Sequence, residues 1–205
     1  MTHSIRRHLA VLALALAALL PSRGQAQTIP INLSAQEREM MAVANELSKK
    51  CTSVMERWIA NKEITEEKLF SFLYYPMPKI DPPKYTTDYD KLSDRDIAEP
   101  EESVIKRFPL VSYAVLVDKN GYIPTSNEKY RQPLTGNRAA DLLHNRTKII
   151  HNHTVGLSAG RSEAPFLFQQ YKRDNGETLT EISVPVYVHG AHWGAVRIGY
   201  RRSEG

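Results

Sequence analysis

Thr178 to Arg201 reads TLTEISVPVYV, then HG, then AHWGAVRIGYR. Two runs rich in Val, Ile, Thr and aromatic residues flank a His189-Gly190 connection, the pattern of an antiparallel hairpin. Upstream, Phe166 to Arg173 (FLFQQYKR) is a third such run, joined through Asp174-Asn175-Gly176. The C-terminal part of the chain therefore predicts a three-stranded meander. Further back, Ser112 to Asp118 (SYAVLVD), Lys119-Asn120-Gly121 and Tyr122 to Ser126 (YIPTS) predict a hairpin with an Asn-Gly turn. Weak helical patterns at Ala139 to His144 and Arg146 to Ile150 fall between the second and third strands. The expectation is an α+β domain: a five-stranded antiparallel sheet with helices on one side.

The N-terminal half has a different grain. From Leu33 to Asn61 apolar residues recur at spacings of three and four: Met40, Val43, Ala44, Leu47, Cys51, Val54, Met55, Trp58, Ile59. Ser34 with Glu37 three residues later opens this run as a capping box. So long an apolar face exceeds what one sheet face needs, so it is expected to pack partly on the sheet and partly on a second copy of the chain or a receptor helix. A second helix is predicted from Thr65 through Leu73, ended by Pro76 and Pro78. Pro76 to Pro100 reads as a long surface loop with one helical turn near Ser93 to Ile97, and strands are expected from about Val104.

The first 26 residues carry Arg6 and Arg7, an apolar run from Leu9 to Leu20, and small residues ending at Ala26. This is the pattern of a cleaved secretory signal peptide. The run is too short to span a bilayer core, which takes roughly 20 residues. A periplasmic or secreted protein of three segments is expected: leader 1–26, helices and proline-rich loop 27–103, and a sensor domain 104–205. Most of the formal charge of +4 comes from the leader, since without Arg6, Arg7 and Arg23 the chain holds 24 basic against 23 acidic residues. That balance, with no basic stripe, argues against a nucleic-acid partner. The single Cys51 excludes an internal disulfide and reads as a small buried hydrophobe.

YAVLVDKNGYIPTSN, the NRTK at Asn145 to Lys148, PFLFQQYKRDNGE and VPVYVHGAHWGAVRIGY together resemble the extracytoplasmic single-Cache, PAS-like sensor domain of bacterial methyl-accepting chemotaxis receptors, over roughly Phe108 to Arg201. The resemblance implies a PAS/Cache fold, a small-molecule ligand and a role in chemotaxis or signal transduction. With no membrane helix or methylated coiled coil after Tyr200, signalling would pass through a membrane receptor or kinase. Some related sensors hold haem through C-x-x-C-H, a motif absent here. The alternative is thus a periplasmic haem-binding or redox-sensing protein without covalent attachment.

The residues offer little for catalysis. There is no G-x-S-x-G elbow, no H-E-x-x-H and no glycine-rich phosphate loop. The pairs Glu66-Glu67 and Glu101-Glu102 read as solvated helix faces, and the chain is read as a non-enzyme. His144, His151, His153, His189 and His192, with Asp141 and Asp174 nearby in sequence, lack metal-ligand spacing, so no metal site is assigned. Tyr74, Tyr75, Tyr85 and Tyr89 read as plugs at the edge of a core. The candidate ligand-binding residues are Tyr113, Tyr171, Trp193 and Arg197. An arginine in mid-strand is costly unless paired. Arg197 either bridges to Asp118 or Glu181, or serves as the hook for an anionic ligand. The two-residue turn is expected to set Trp193 on the same face.

Overall fold

The computed structural model of the protein describes residues 32–172 and 176–203. The leader and the Asp174-Asn175 part of the expected turn lie outside the described residues. Helix α1 (Ala35–Ala60) starts on the capping box, with Ser34 Oγ accepting from the Glu37 amide at 3.1 Å and Glu37 accepting from the Ser34 amide at 2.8 Å. A short α2 (Glu66–Leu69) follows, capped by Thr65. It stops earlier than its apolar pattern suggests, because Phe72 takes a positive φ of 46° and turns the chain away before Pro76. The proline-rich stretch is more ordered than expected. It pairs β1 (Tyr75–Pro76) with β2 (Tyr85–Thr86), then forms α3 (Asp90–Asp96) and α4 (Ala98–Arg107). Val104 is thus buried in a helix, and the expected 103/104 boundary falls inside α4, within a compact unit that begins at Leu33.

The sheet proper has four antiparallel strands in the order β3 (Val111–Asp118), β8 (Ala191–Tyr200), β7 (Thr178–Val188), β6 (Leu167–Lys172). The meander is as expected, and the His189-Gly190 turn has both φ angles positive, 48° and 80°, as a type I′ hairpin requires. The fifth strand is absent among the described residues. After the Asn-Gly turn, β4 (Tyr122–Ile123) leaves β3 and pairs instead with β5 (Ile149–Ile150), a segment whose sequence suggested a helix. Side chains stand where the fifth strand was expected. The free edge of β3 gives its Ala114 amide to Asn127 Oδ1 at 2.9 Å and its Leu116 amide to Glu101 Oε1 at 2.7 Å. Asp118 Oδ1 takes the Tyr122 amide at 3.0 Å, and Pro124 has none to give. An edge so satisfied offers no ladder to a further strand.

Helices cover both faces, not one. On one face α1 lies across β7 and β8, with α4 beside β3. Met40, Val43, Ala44, Leu47, Cys51, Val54, Met55 and Trp58 are all at most 5 % exposed. They meet Ile182, Val184, Val186, Val196 and Ile198 in the main core. At roughly 1.5 to 3 kcal/mol for each large apolar side chain, this burial holds α1 in place. The α1 residues from Met40 to Trp58 are thus covered within this chain. On the other face lie the β4–β5 ribbon, α5 (Arg138–His144) and α6 (Thr154–Arg161). The α6 sequence, TVGLSAGR, has two glycines and low helix propensity and gave no advance signal beyond its cap, where His153 Nδ1 accepts from the Gly156 amide.

Candidate functional site

Between the second face of the sheet and the α5–β5–α6 layer lies a cavity of about 770 Å³. That is within the range of small-molecule sites. Its floor is built by strand alternation. Tyr113, Gly199 and Glu181 stand in one row across β3, β8 and β7. A side chain at Gly199 would meet the Tyr113 ring at 2.2 Å, so the glycine lets that ring lie flat across the strand to reach Glu181. The Tyr113 hydroxyl donates to Glu181 Oε2 and lies 2.7 Å from the Tyr171 hydroxyl. Arg197 completes the group: Nε donates to Glu181 Oε1 at 3.1 Å and Nη2 to Oε2 at 2.6 Å.

Glu181 is fully buried and Arg197 is 4 % exposed. Burial works against charge on Arg197, but Glu181 outweighs it and holds the guanidinium protonated. Burial, then the Glu181 charge, push the Tyr113 phenol well above its ordinary value. Of the two readings open for Arg197, the structure shows the ion pair, with Glu181 and not Asp118. Asp118 is engaged elsewhere, accepting from the Tyr74 and Tyr89 hydroxyls at 2.6 and 2.9 Å.

Three of the four candidate residues, Tyr113, Tyr171 and Arg197, line the cavity; Trp193 does not. It is fully buried on the α1 face, its ring 5.5 Å from that of Tyr89 and its indole N–H donating to the Leu69 carbonyl at 3.0 Å. A β-bulge is the cause. Tyr187 faces His192 and Val186 faces Gly194, so β8 has one residue more than β7 at this point. The extra residue is Trp193, and beyond it the alternation changes phase. A Cβ at Gly194 would stand 2.1 Å from the Val117 carbonyl oxygen, so only glycine fits where the bulge presses against β3.

The walls come from segments that gave no site signal. Arg146, Ile149, Ile150 and His151 enter from the β5 segment, Leu142 and Leu143 from α5, Val155 from α6, and Pro82 and Pro83 from the proline-rich stretch. Four strong bases line the cavity, namely Arg138, Arg146, Lys172 and Arg197, and no carboxylate does so among the described residues. Arg146 has no salt bridge among the described residues, and its Nε is buried without a hydrogen-bond acceptor. Burial, then the nearby Arg197 and Arg146 charges, push His151 well below the usual histidine range, so its imidazole is neutral.

Lys84 holds the Arg146 segment. Only 3 % exposed, it donates through Nζ to the Asn145 carbonyl at 2.8 Å, to Asn145 Oδ1 at 2.7 Å and to the Thr147 carbonyl at 2.8 Å. Those acceptors bracket Arg146, whose own amide donates to the Tyr130 carbonyl at 2.7 Å. Burial pushes the Lys84 ammonium down to about 8, with the Asp141 charge acting in the opposite direction.

The other histidines do not converge. His151 and His153 rings are 5.4 Å apart and nearly perpendicular, His189 at its turn bonds Glu66, and His192 lies against Tyr187. Among the described residues no group of three His, Cys, Asp or Glu side chains is placed to hold a metal ion. Tyr74, Tyr85 and Tyr89 do plug the core edge around Tyr122, while Tyr75 is exposed. Glu66 and Glu67 are solvated, but Glu101 is fully buried as the edge acceptor described above, and burial raises its carboxyl well above the carboxylate range. No helix among the described residues is long and apolar enough to cross a membrane. Compared with known proteins, the chain matches no family model and no curated sequence.

Proposed function

We propose that the protein is an exported, non-enzymatic sensor that binds a small organic anion in the cavity above Tyr113 and Arg197, and passes its occupancy to a membrane receptor or kinase. The observation that carries the reading is the cavity itself. It is large, mostly apolar, lined by bases without carboxylates, and contains an arginine with no partner among the described residues. Buried polar groups are normally satisfied, and an anionic ligand would satisfy Arg146. Arg197 is a weaker hook than its position in the strand suggests, because Glu181 takes two of its donors. Export is supported by the leader pattern, and the signalling role by the resemblance to chemoreceptor sensor domains.

Native mass spectrometry of the protein purified from its own host, followed by denaturing release, tests the reading. The expected result is a small acid released from the wild type and absent from Val155→Trp, which fills the cavity. An empty wild type that also gains no thermal stability from a panel of organic acids overturns it.

One observation favours a second reading. The neutral imidazole of His151 at the cavity wall would suit the iron of a non-covalently held haem, and Arg146 would suit a propionate. Haem would supply redox or gas-sensing chemistry. A Soret band in protein from the native host, lost in His151→Ala, selects this reading, and its absence after haem addition rejects it.

A further inference from the structure

Granted that the cavity is a ligand site, we infer that its ligand is an organic monocarboxylate with an aliphatic or aromatic body, bound through its carboxylate to Arg146. The charge inside the cavity sets the count. Arg138 is paired with Asp81, and Arg197 with Glu181. Lys172 is exposed, where salt screens it. His151 is neutral. One inner cation, Arg146, is left without a counter-charge among the described residues.

A ligand bearing a second carboxylate would carry a negative charge into an apolar wall with nothing to meet it. A phosphate monoester, at about −1.5 to −2, has the same difficulty. A single planar carboxylate matches both the charge and the fork of a guanidinium. The base of that fork is preorganised, since Lys84 ties down the carbonyls on both sides of Arg146. Less of the binding free energy is then lost to ordering.

The rest of the wall selects the body. Leu142 and Leu143 line the cavity yet are 45 % and 43 % exposed, unlike the leucines of the core. With Ile149, Ile150 and Val155 they form an apolar surface that gains burial only when an apolar group arrives. A short, fully polar acid such as citrate would leave this surface wet.

Calorimetric titration of the purified protein with octanoate, phenylacetate, succinate, citrate, octanamide and phenylacetamide tests the inference, run on wild type, Arg146→Gln and Val155→Trp. Octanoate or phenylacetate should bind, with the matching amide and the di- and tricarboxylates at least about 10-fold weaker. Arg146→Gln should weaken the acid by about 10- to 150-fold, the range for one charged hydrogen bond, and leave the melting temperature of the free protein in place. Tighter binding of succinate or citrate, equal binding of the amide, or an unchanged affinity in Arg146→Gln overturns the monocarboxylate assignment. If Val155→Trp still abolishes binding in those cases, the cavity remains a ligand site of other specificity. If no acid binds, or binding survives Val155→Trp, the cavity reading itself fails.

Discussion

On the α1 side of the sheet, Ile182, Val184, Val196 and Ile198 meet Val54, Met55 and Trp58, and almost nothing polar intervenes. On the other side β7 and β8 present Glu181 and Arg197, with Tyr113 of β3 beside them, beneath an open cavity. One face spends its residues on burial, which is non-directional and tolerant of detail. The opposite face spends them on a buried ion pair, a phenol pair and a clamped arginine, each of which depends on exact partners. A buried ion pair contributes little net stability. Such a face is therefore expected where binding, and not folding, sets the residue choice.

The contrast can be broken at several points. Trp193→Ala, on the α1 face, should cost about 3 to 5 kcal/mol, the range for deleting a buried aromatic. Chemical denaturation measures it, and ligand affinity in the folded fraction should not change. Arg197→Ala should cost about 3 kcal/mol or more, since Glu181 is left buried without its cation. The joint change Arg197→Met with Glu181→Leu should recover most of that loss, which a double-mutant cycle would read directly. Failure to recover would mean that Arg197 matters to the fold beyond its pairing.

Gly199→Ala should cost about 1 to 3 kcal/mol, because its methyl displaces the Tyr113 ring from Glu181. A loss of tyrosine near-ultraviolet circular dichroism, with an unchanged far-ultraviolet spectrum, would locate the damage on the cavity face. A further effect concerns pH. Burial pushes the Lys84 ammonium down to about 8, from an ordinary lysine value near 10.5. Between those values the unfolded chain holds a proton that the folded chain has released, so stability rises with pH. Below about 8 the cost of burying the ammonium is fully present. The wild-type minus Lys84→Met difference in unfolding free energy should therefore climb from pH 8 to 10 and stay flat from pH 6 to 7.5.

What the sequence made legible follows the same division. The meander, the capping box of α1 and the core from Met40 to Trp58 could all be read, because periodicity reports burial directly. Tyr113, Tyr171 and the Arg197–Glu181 pair were readable for a related reason, as polar residues in apolar strands. The fifth strand is not legible locally, because Tyr122-Ile123 has the composition of a strand and nothing nearby reveals that Asn127 and Glu101 already occupy the edge of β3. Arg146 lies in a segment whose local pattern suggests a helix. Its role depends on Lys84, 62 positions earlier, and no local pattern carries a contact of that range.

The extra residue at Trp193 makes β8 a strand with two reading frames. Up to His192 the odd positions answer to one face, and from Ala195 onward to the other. Trp193 absorbs the change of frame: without it Tyr187 would still meet His192 and Val186 would still meet Gly194, so Arg197 would stay opposite Ser183, whereas one residue lost between Gly194 and Arg197 would turn Arg197 toward Val54 and Met55 and bring Ile198 over the cavity. Variation along this hairpin is thus constrained in length more tightly than in composition. Conservative replacements at Val196 or Ile198 leave the frame alone, whereas the loss of one codon between Gly194 and Arg197 would exchange the two sides of the strand.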